Sequence, residues 1–177
     1  MYEIASPFLR ARNDTEGRAR NDTGIILDYA MGGGYAVMYY DLPISTYDLD
    51  ILVLLSGEED YRRLYEHFQA QGNKIENVHI FIDDMPVQFL PNYISPLFNQ
   101  AIIEADLIAF EDIHAKVVKL EYLIVLLLTA FRPKDIIRIQ SLLDKADKEL
   151  LLDIIRRFDD EQKSLYERYQ KVLADTQ

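Results

Sequence analysis

Ile25-Ile26-Leu27-Asp28-Tyr29-Ala30-Met31-Gly32-Gly33-Gly34-Tyr35-Ala36-Val37, followed shortly by Ser45-Thr46-Tyr47-Asp48-Leu49-Asp50-Ile51, is the stretch on which the fold turns. Residues 25–31 are predicted as a short strand, broken by Gly32-Gly33-Gly34, and residues 35–40 carry helix-compatible apolar side chains up to Leu42-Pro43. Residues 48–55 form the second predicted strand. Its period of two puts Asp48 and Asp50 on one face, about 7 Å apart, at the polar start of an aliphatic run. Two carboxylates so placed suit a hard cation such as Mg²⁺, which takes a few carboxylate oxygens and fills its octahedron with water and phosphate. The same pair could equally just solvate a strand end. The upstream unit favours the first reading, because a glycine turn leading into a helix offers bare backbone N–H groups that hold phosphates. A glycine anion seat beside an acidic pair describes a phosphoryl or nucleotidyl transfer site.

Outward from this stretch, residues 58–71 read as a helix: acids fill its first turn, Tyr61, Leu64, Tyr65 and Phe68 share one face, and Gly72 follows. Residues 78–82 and 87–90 are predicted strands around a turn at Asp83-Asp84-Met85-Pro86, with Pro91 and Pro96 marking the loop beyond. A second hairpin is expected from 106–110 and 113–118 around Glu111-Asp112. Helices are expected at about 120–130, 134–146, 148–158 and 161–174. The predicted class is α+β, a mixed sheet flanked by helices and followed by a C-terminal helical segment. Residues 25–118 form the α/β core in this reading, and residues 119–177 the helices packed on it.

The 177 residues carry 19 Lys plus Arg against 30 Asp plus Glu. Residues 25–131 hold 5 basic and 16 acidic side chains and so contain the whole net charge of −11. Such a surface repels nucleic-acid backbones unless cations intervene, so DNA binding is not expected. Without cysteine, disulfides, thiol nucleophiles and Cys-based metal sites are excluded. The longest apolar run, residues 123–130, falls well short of a bilayer span, and the reading is of a soluble cytoplasmic protein without membrane association. Residues 1–24 contain Arg-Ala-Arg-Asn-Asp-Thr twice, at 10–15 and 18–23, with almost no large apolar side chains, and are expected to form a solvated arm.

The glycine turn and Ser45-Thr46-Tyr47-Asp48-Leu49-Asp50-Ile51 together resemble the DNA polymerase β-like minimal nucleotidyltransferase superfamily. Pro86-Val87-Gln88-Phe89-Leu90-Pro91 and Arg132-Pro133-Lys134-Asp135 look like its bacterial branch of AbiEii/AbiGii-type abortive-infection toxins. The resemblance implies transfer of a nucleoside monophosphate from an NTP to a hydroxyl on a protein, RNA or small molecule. It also implies a toxin–antitoxin setting with an antitoxin partner. By the same resemblance, Asp48 and Asp50 would be catalytic and bind Mg²⁺ or Mn²⁺. Gly32, Gly33, Gly34, Ser45 and Thr46 would hold the triphosphate, with Arg132 and Lys134 facing it and Asp135 orienting Lys134. Read without the resemblance, Lys134 is a solvent-exposed first-turn residue and Asp135 an acid favoured there by the helix dipole.

Three positions depart from the superfamily pattern. Gln88 stands where a third carboxylate is common, Tyr35 follows the glycines in place of a serine, and Ile44 replaces an arginine. A neutral amide cannot replace an anionic ligand or base at full strength. Asp83 and Asp84 are the nearest acids in sequence, but they fit a hairpin tip. His67, His79 and His114 fall at no metal-ligand spacing and are read as structural. Three functions therefore stand: a metal-dependent nucleotidyltransferase, a degenerate nucleotide- or partner-binding protein, and a phosphate-binding fold used only in assembly.

Overall fold

The computed structural model describes residues 24–41, 44–110, 113–160 and 164–175. Strands β1 (Asp28–Met31), β2 (Leu49–Leu54), β3 (Ile75–Glu76), β4 (His79–Ile82), β5 (Met85–Pro91), β6 (Asp106–Phe110) and β7 (Ile113–Val117) form one sheet in the order β3-β4-β5-β2-β1-β7-β6. Helix α1 (Gly33–Tyr40) follows β1, and α2 (Glu58–Ala70) follows β2. Helix α3 (Pro96–Ile103) precedes the β6–β7 hairpin, and α4 (Leu120–Ala130), α5 (Pro133–Leu142), α6 (Lys148–Phe158) and α7 (Leu165–Ala174) complete the chain.

The sheet is mixed, as its connections require. β1 and β2 pair antiparallel, whereas β2 with β5 and β1 with β7 run parallel across the longer, helix-containing crossovers. Each central strand is covered on both faces, which explains why β2 reads as a continuous aliphatic run. Leu49, Ile51 and Val53 join Val87 and Phe89 against Leu64 and Phe68 of α2. The alternate residue Leu52 joins Ala30 and Val117 in the larger core built with α3 to α7. Asp50 shares the parity of Leu52 and therefore stands on the sheet face covered by these later helices.

Several boundaries differ from expectation. β1 begins at Asp28, three residues late, because Ile25 and Ile26 bury as an irregular approach to the strand. The β4–β5 turn is only Asp83-Asp84, both at positive φ (48° and 65°), and Met85 and Pro86 already belong to β5. Two left-handed residues give the twist that a tight hairpin needs, and aspartate tolerates that conformation. The segment read as a loop after Pro91 contains α3: Ser95 caps it by accepting from the Phe98 N–H, and Pro96 takes its first position. β3 pairs with β4 through Ile75 and Glu76. Residues 1–23 of the predicted arm, the Leu42-Pro43 stop, the Glu111-Asp112 turn and residues 161–163 lie outside the described residues. No helix of the described residues is long and apolar enough to cross a membrane.

Two polar devices set the later helices against the sheet. Buried Glu121 of α4 accepts the Asp147 N–H at 2.8 Å, just before α6. Arg168 of α7 donates to the Leu128 and Thr129 carbonyls at 2.8 and 2.7 Å, where α4 ends. These carbonyls have no intrahelical donor, and the adjacent Phe131, left-handed at φ 50°, turns the chain towards α5 beneath the Arg168 guanidinium. That turn delivers Arg132 and Lys134 to the open end of β2.

Candidate functional site

A cleft of about 520 Å³ opens between the start of β2, the glycine turn, and helices α3, α4 and α5. It brings together Gly33, Gly34, Ser45, Thr46, Asp48, Asp50, Arg132 and Lys134, from two stretches of sequence separated by the whole of the sheet's remaining strands. Gly32 does not reach the lining. Its N–H donates to the Asp50 carbonyl at 2.9 Å, and a Cβ at this position would lie 2.7 Å from Leu52 Cδ1. Its contribution is to let β1 and the start of α1 close over β2.

Gly33 and Gly34 serve close approach directly. A Cβ on Gly33, which sits at φ +52°, would meet Asp50 Oδ2 at 1.8 Å, and one on Gly34 would meet Thr46 Oγ1 at 2.4 Å. The glycine turn therefore presses the first turn of α1 against the Asp50 carboxylate and the Thr46 side chain. The leading N–H groups of a helix have no partner within it and make a partial positive end beside the carboxylate. Thr46 Oγ1 lies 3.3 Å from both Asp48 Oδ1 and the Asp48 carbonyl, tying the loop to the first acid.

Asp50 carries the strongest electrostatic perturbation of the site. Its carboxyl is pushed up to about 6, first by burial and then by the Asp48 charge, against the opposing pull of Arg132, Lys134 and Arg138. Two acids share a half-enclosed space in which their charges are incompletely balanced. Gln88 lines the same space and is paired opposite Asp50 across β2 and β5. His79, in turn, is opposite Gln88, and its Nε2 lies 3.7 Å from Asp48 Oδ2. Asp83 and Asp84 are exposed at the hairpin tip, about 10 Å of strand beyond the Gln88 row.

Among the described residues, no three His, Cys, Asp or Glu side chains are grouped to hold a metal ion. Two carboxylates with the Gln88 amide oxygen remain a fitting donor set for Mg²⁺ or Mn²⁺, which take hard oxygen ligands and leave positions for water and phosphate. The raised Asp50 carboxyl supports that fit, since a cation would offset both the burial and the Asp48 charge that raise it.

The cationic side of the cleft is organised by Asp135, fully buried at the third position of α5. It accepts from Arg132 N and Nε at 3.1 and 2.7 Å and from Nη2 at 3.2 Å, and Arg138 Nη1 lies 3.8 Å away. Asp135 thus orients Arg132 and Arg138, not Lys134: an acid at this position reaches back to the residue before the helix and forward one turn, whereas Lys134 is exposed at the rim of the cleft. Arg138 is not singled out by the sequence, and His79 is read there only as structural. Arg138 is legible in retrospect, one turn beyond Lys134 and Asp135, while His79 becomes visible only through the register of β4, β5 and β2.

No protein-family model matches the chain, and no curated protein sequence matches it. Its structure is similar to an antigenic nucleotidyltransferase-like protein from Paracoccidioides brasiliensis, with TM-score 0.50 and 15% identity over 78% of this chain and 84% of that one. The fold is nucleotidyltransferase-like. The antibiotic-resistance factor ANT(2'')-Ia is similar to the same degree, with TM-score 0.50 and 13% identity over 81% of this chain and 88% of that one. Identities this low carry the nucleotidyltransferase-like architecture and leave the chemistry to the residues of the cleft.

Proposed function

We propose that this chain is a Mg²⁺- or Mn²⁺-dependent nucleotidyltransferase that moves a nucleoside monophosphate from an NTP to a hydroxyl of a protein, RNA or small molecule. One observation carries the reading: an acidic pair, a glycine-started helix and a set of cations face a single cleft. Asp48 and Asp50, with the Gln88 oxygen, would hold the cation, which when bound supplies charge neutralisation between carboxylates and triphosphate. The Gly33 and Gly34 backbone, with Ser45 and Thr46, would receive phosphate oxygens. Arg132 and Lys134, as the sequence resemblance implies, and Arg138, which the structure adds, would balance the charge of the leaving group. In the transfer, the acceptor oxygen forms a bond to the α-phosphorus while the bond from the α-phosphorus to the bridging oxygen breaks. Pyrophosphate departs with that electron pair and the hydroxyl proton passes to solvent.

An abortive-infection setting with an antitoxin partner, which the sequence resemblance implies, is part of the same proposal. A second reading, a nucleotide- or partner-binding protein without transfer, is favoured by Gln88, which supplies no negative charge beside Asp50. Incubation with α-labelled NTPs, Mg²⁺ or Mn²⁺ and cell extract distinguishes the two. Transfer of label that disappears in Asp48→Asn and Asp50→Asn supports the enzyme, whereas metal-dependent NTP binding without transfer supports the second reading.

A further inference from the structure

The cleft has two ends of different chemistry. At its mouth stand the acids, Gln88 and the hydroxyls of Ser45 and Thr46. Arg132 and Lys134, where the chain enters α5, and Arg138 one turn further on line the cleft as well. Two residues further along the same sheet face, about 7 Å deeper, the Asp50–Gln88 pair gives way to the Leu52–Leu90 pair. There Phe98 of α3 and Leu123, Leu126 and Leu127 of α4 complete a wall of hydrocarbon and one aromatic ring. The hydroxyl nearest in sequence, that of Thr129, donates to the Val125 carbonyl of its own helix at 3.0 Å.

We propose that this deep half holds the nucleobase of the donor NTP without reading its hydrogen-bonding edge, so that the site takes ATP, GTP, CTP and UTP with similar affinity. The inference rests on the nucleotidyltransferase reading, which puts the phosphates at the mouth; a ribose spans the step from there to the apolar wall. The volume of about 520 Å³ lies within the usual range of small-molecule sites. A wall of this composition gains from contact area, and every base offers a flat face to it. Strong discrimination between bases requires side chains whose hydrogen bonds are satisfied by one base edge and left unpaired by the others. Among the described residues, the side chains of the deep half supply no such groups.

The test compares inorganic tripolyphosphate with the four NTPs by calorimetric titration, each with Mg²⁺ and with Mn²⁺. Tripolyphosphate reports the phosphate end alone. The expected result is that tripolyphosphate binds, that all four NTPs bind more tightly, and that the four lie within about tenfold of one another. Ala130→Phe, at the exposed end of α4 where the apolar wall meets the rim, narrows the approach to that wall without removing packing, and should weaken every NTP by about tenfold or more while leaving tripolyphosphate unchanged. Leu126→Ala provides a second variant that trims the same wall. A preference of a hundredfold or more for one base overturns the inference, as do NTPs that bind no better than tripolyphosphate or that ignore Ala130→Phe. Failure of tripolyphosphate and all NTPs to bind overturns the nucleotidyltransferase reading and the inference with it.

Discussion

Gln88 lies directly opposite Asp50 in the parallel pairing of β5 with β2, so a neutral amide occupies the neighbouring strand position from which a third carboxylate would act. Restoring the charge is therefore a direct probe of the site. Gln88→Asp should tighten Mn²⁺ binding by about tenfold or more, since one further hard anionic ligand joins two existing ones. Calorimetric titration of Mn²⁺ into the variant and the parent measures it; unchanged affinity would show that position 88 does not face the cation.

The raised Asp50 carboxyl makes stability depend on pH with a definite sign. The folded group titrates near 6 and its ordinary value is 3.8, so between these values the folded state retains a proton that the unfolded state has lost. Stability attributable to this group therefore falls as pH rises through that window, by about 3 kcal/mol in all. Asp50→Asn removes the ionisation. Its thermal midpoint should match the parent below pH 3.8, rise above it through the window, and keep a constant lead beyond pH 6. A lead independent of pH would assign the effect to packing.

Gly33→Ala tests the contact between the glycine turn and Asp50. The new methyl group would fall on the carboxylate, at a backbone conformation with φ +52° that alanine adopts only under strain. The expected cost is about 1–3 kcal/mol in denaturant unfolding, accompanied by loss of Mn²⁺ binding because Asp50 is displaced. Gly57→Ala, where nothing lies within 4 Å of the added atom and φ is extended, should leave cation binding intact.

Asp135 offers a separate handle on the cations. Asp135→Ala strands Arg138 and releases Arg132, and should destabilise the chain by about 2–3 kcal/mol, below the range for a fully buried pair because Arg132 is largely solvated. Lys134→Ala, at an exposed position, should leave unfolding within about 0.5 kcal/mol of the parent. Chemical denaturation of both variants checks the contrast; equal effects would mean that Asp135 does not organise this side.

Much of the architecture is legible where pattern and local chemistry agree. The expected bounds of α4 and α6 coincide with those of the structure, while β2 starts at Leu49, one residue later than expected, so that parity places Asp50 alone and Asp48 precedes the strand. α3 was hidden because Pro91 and Pro96 read as punctuation, although Ser95-Pro96 is also a helix start, in which the serine caps and the proline occupies the first turn. β3 has two residues and exists through its pairing with β4, so no local period announces it. Within the cleft, the positions of Asp50, Thr46 and the glycines follow from short-range sequence. The positions of Gln88 and His79 relative to the acids depend on strand register, and the partner of Asp135 on helix-start geometry, neither of which the motif specifies.

The central claim, that Asp48 and Asp50 bind a nucleotide through a divalent cation, is tested most directly by titrating ATP, GTP, CTP and UTP into the protein with Mg²⁺, with Mn²⁺ and with EDTA. The expected result is saturable binding that EDTA abolishes and that Asp50→Asn loses while remaining folded by its thermal midpoint. Binding that survives both EDTA and Asp50→Asn, or no binding of any nucleotide with either metal, would contradict it.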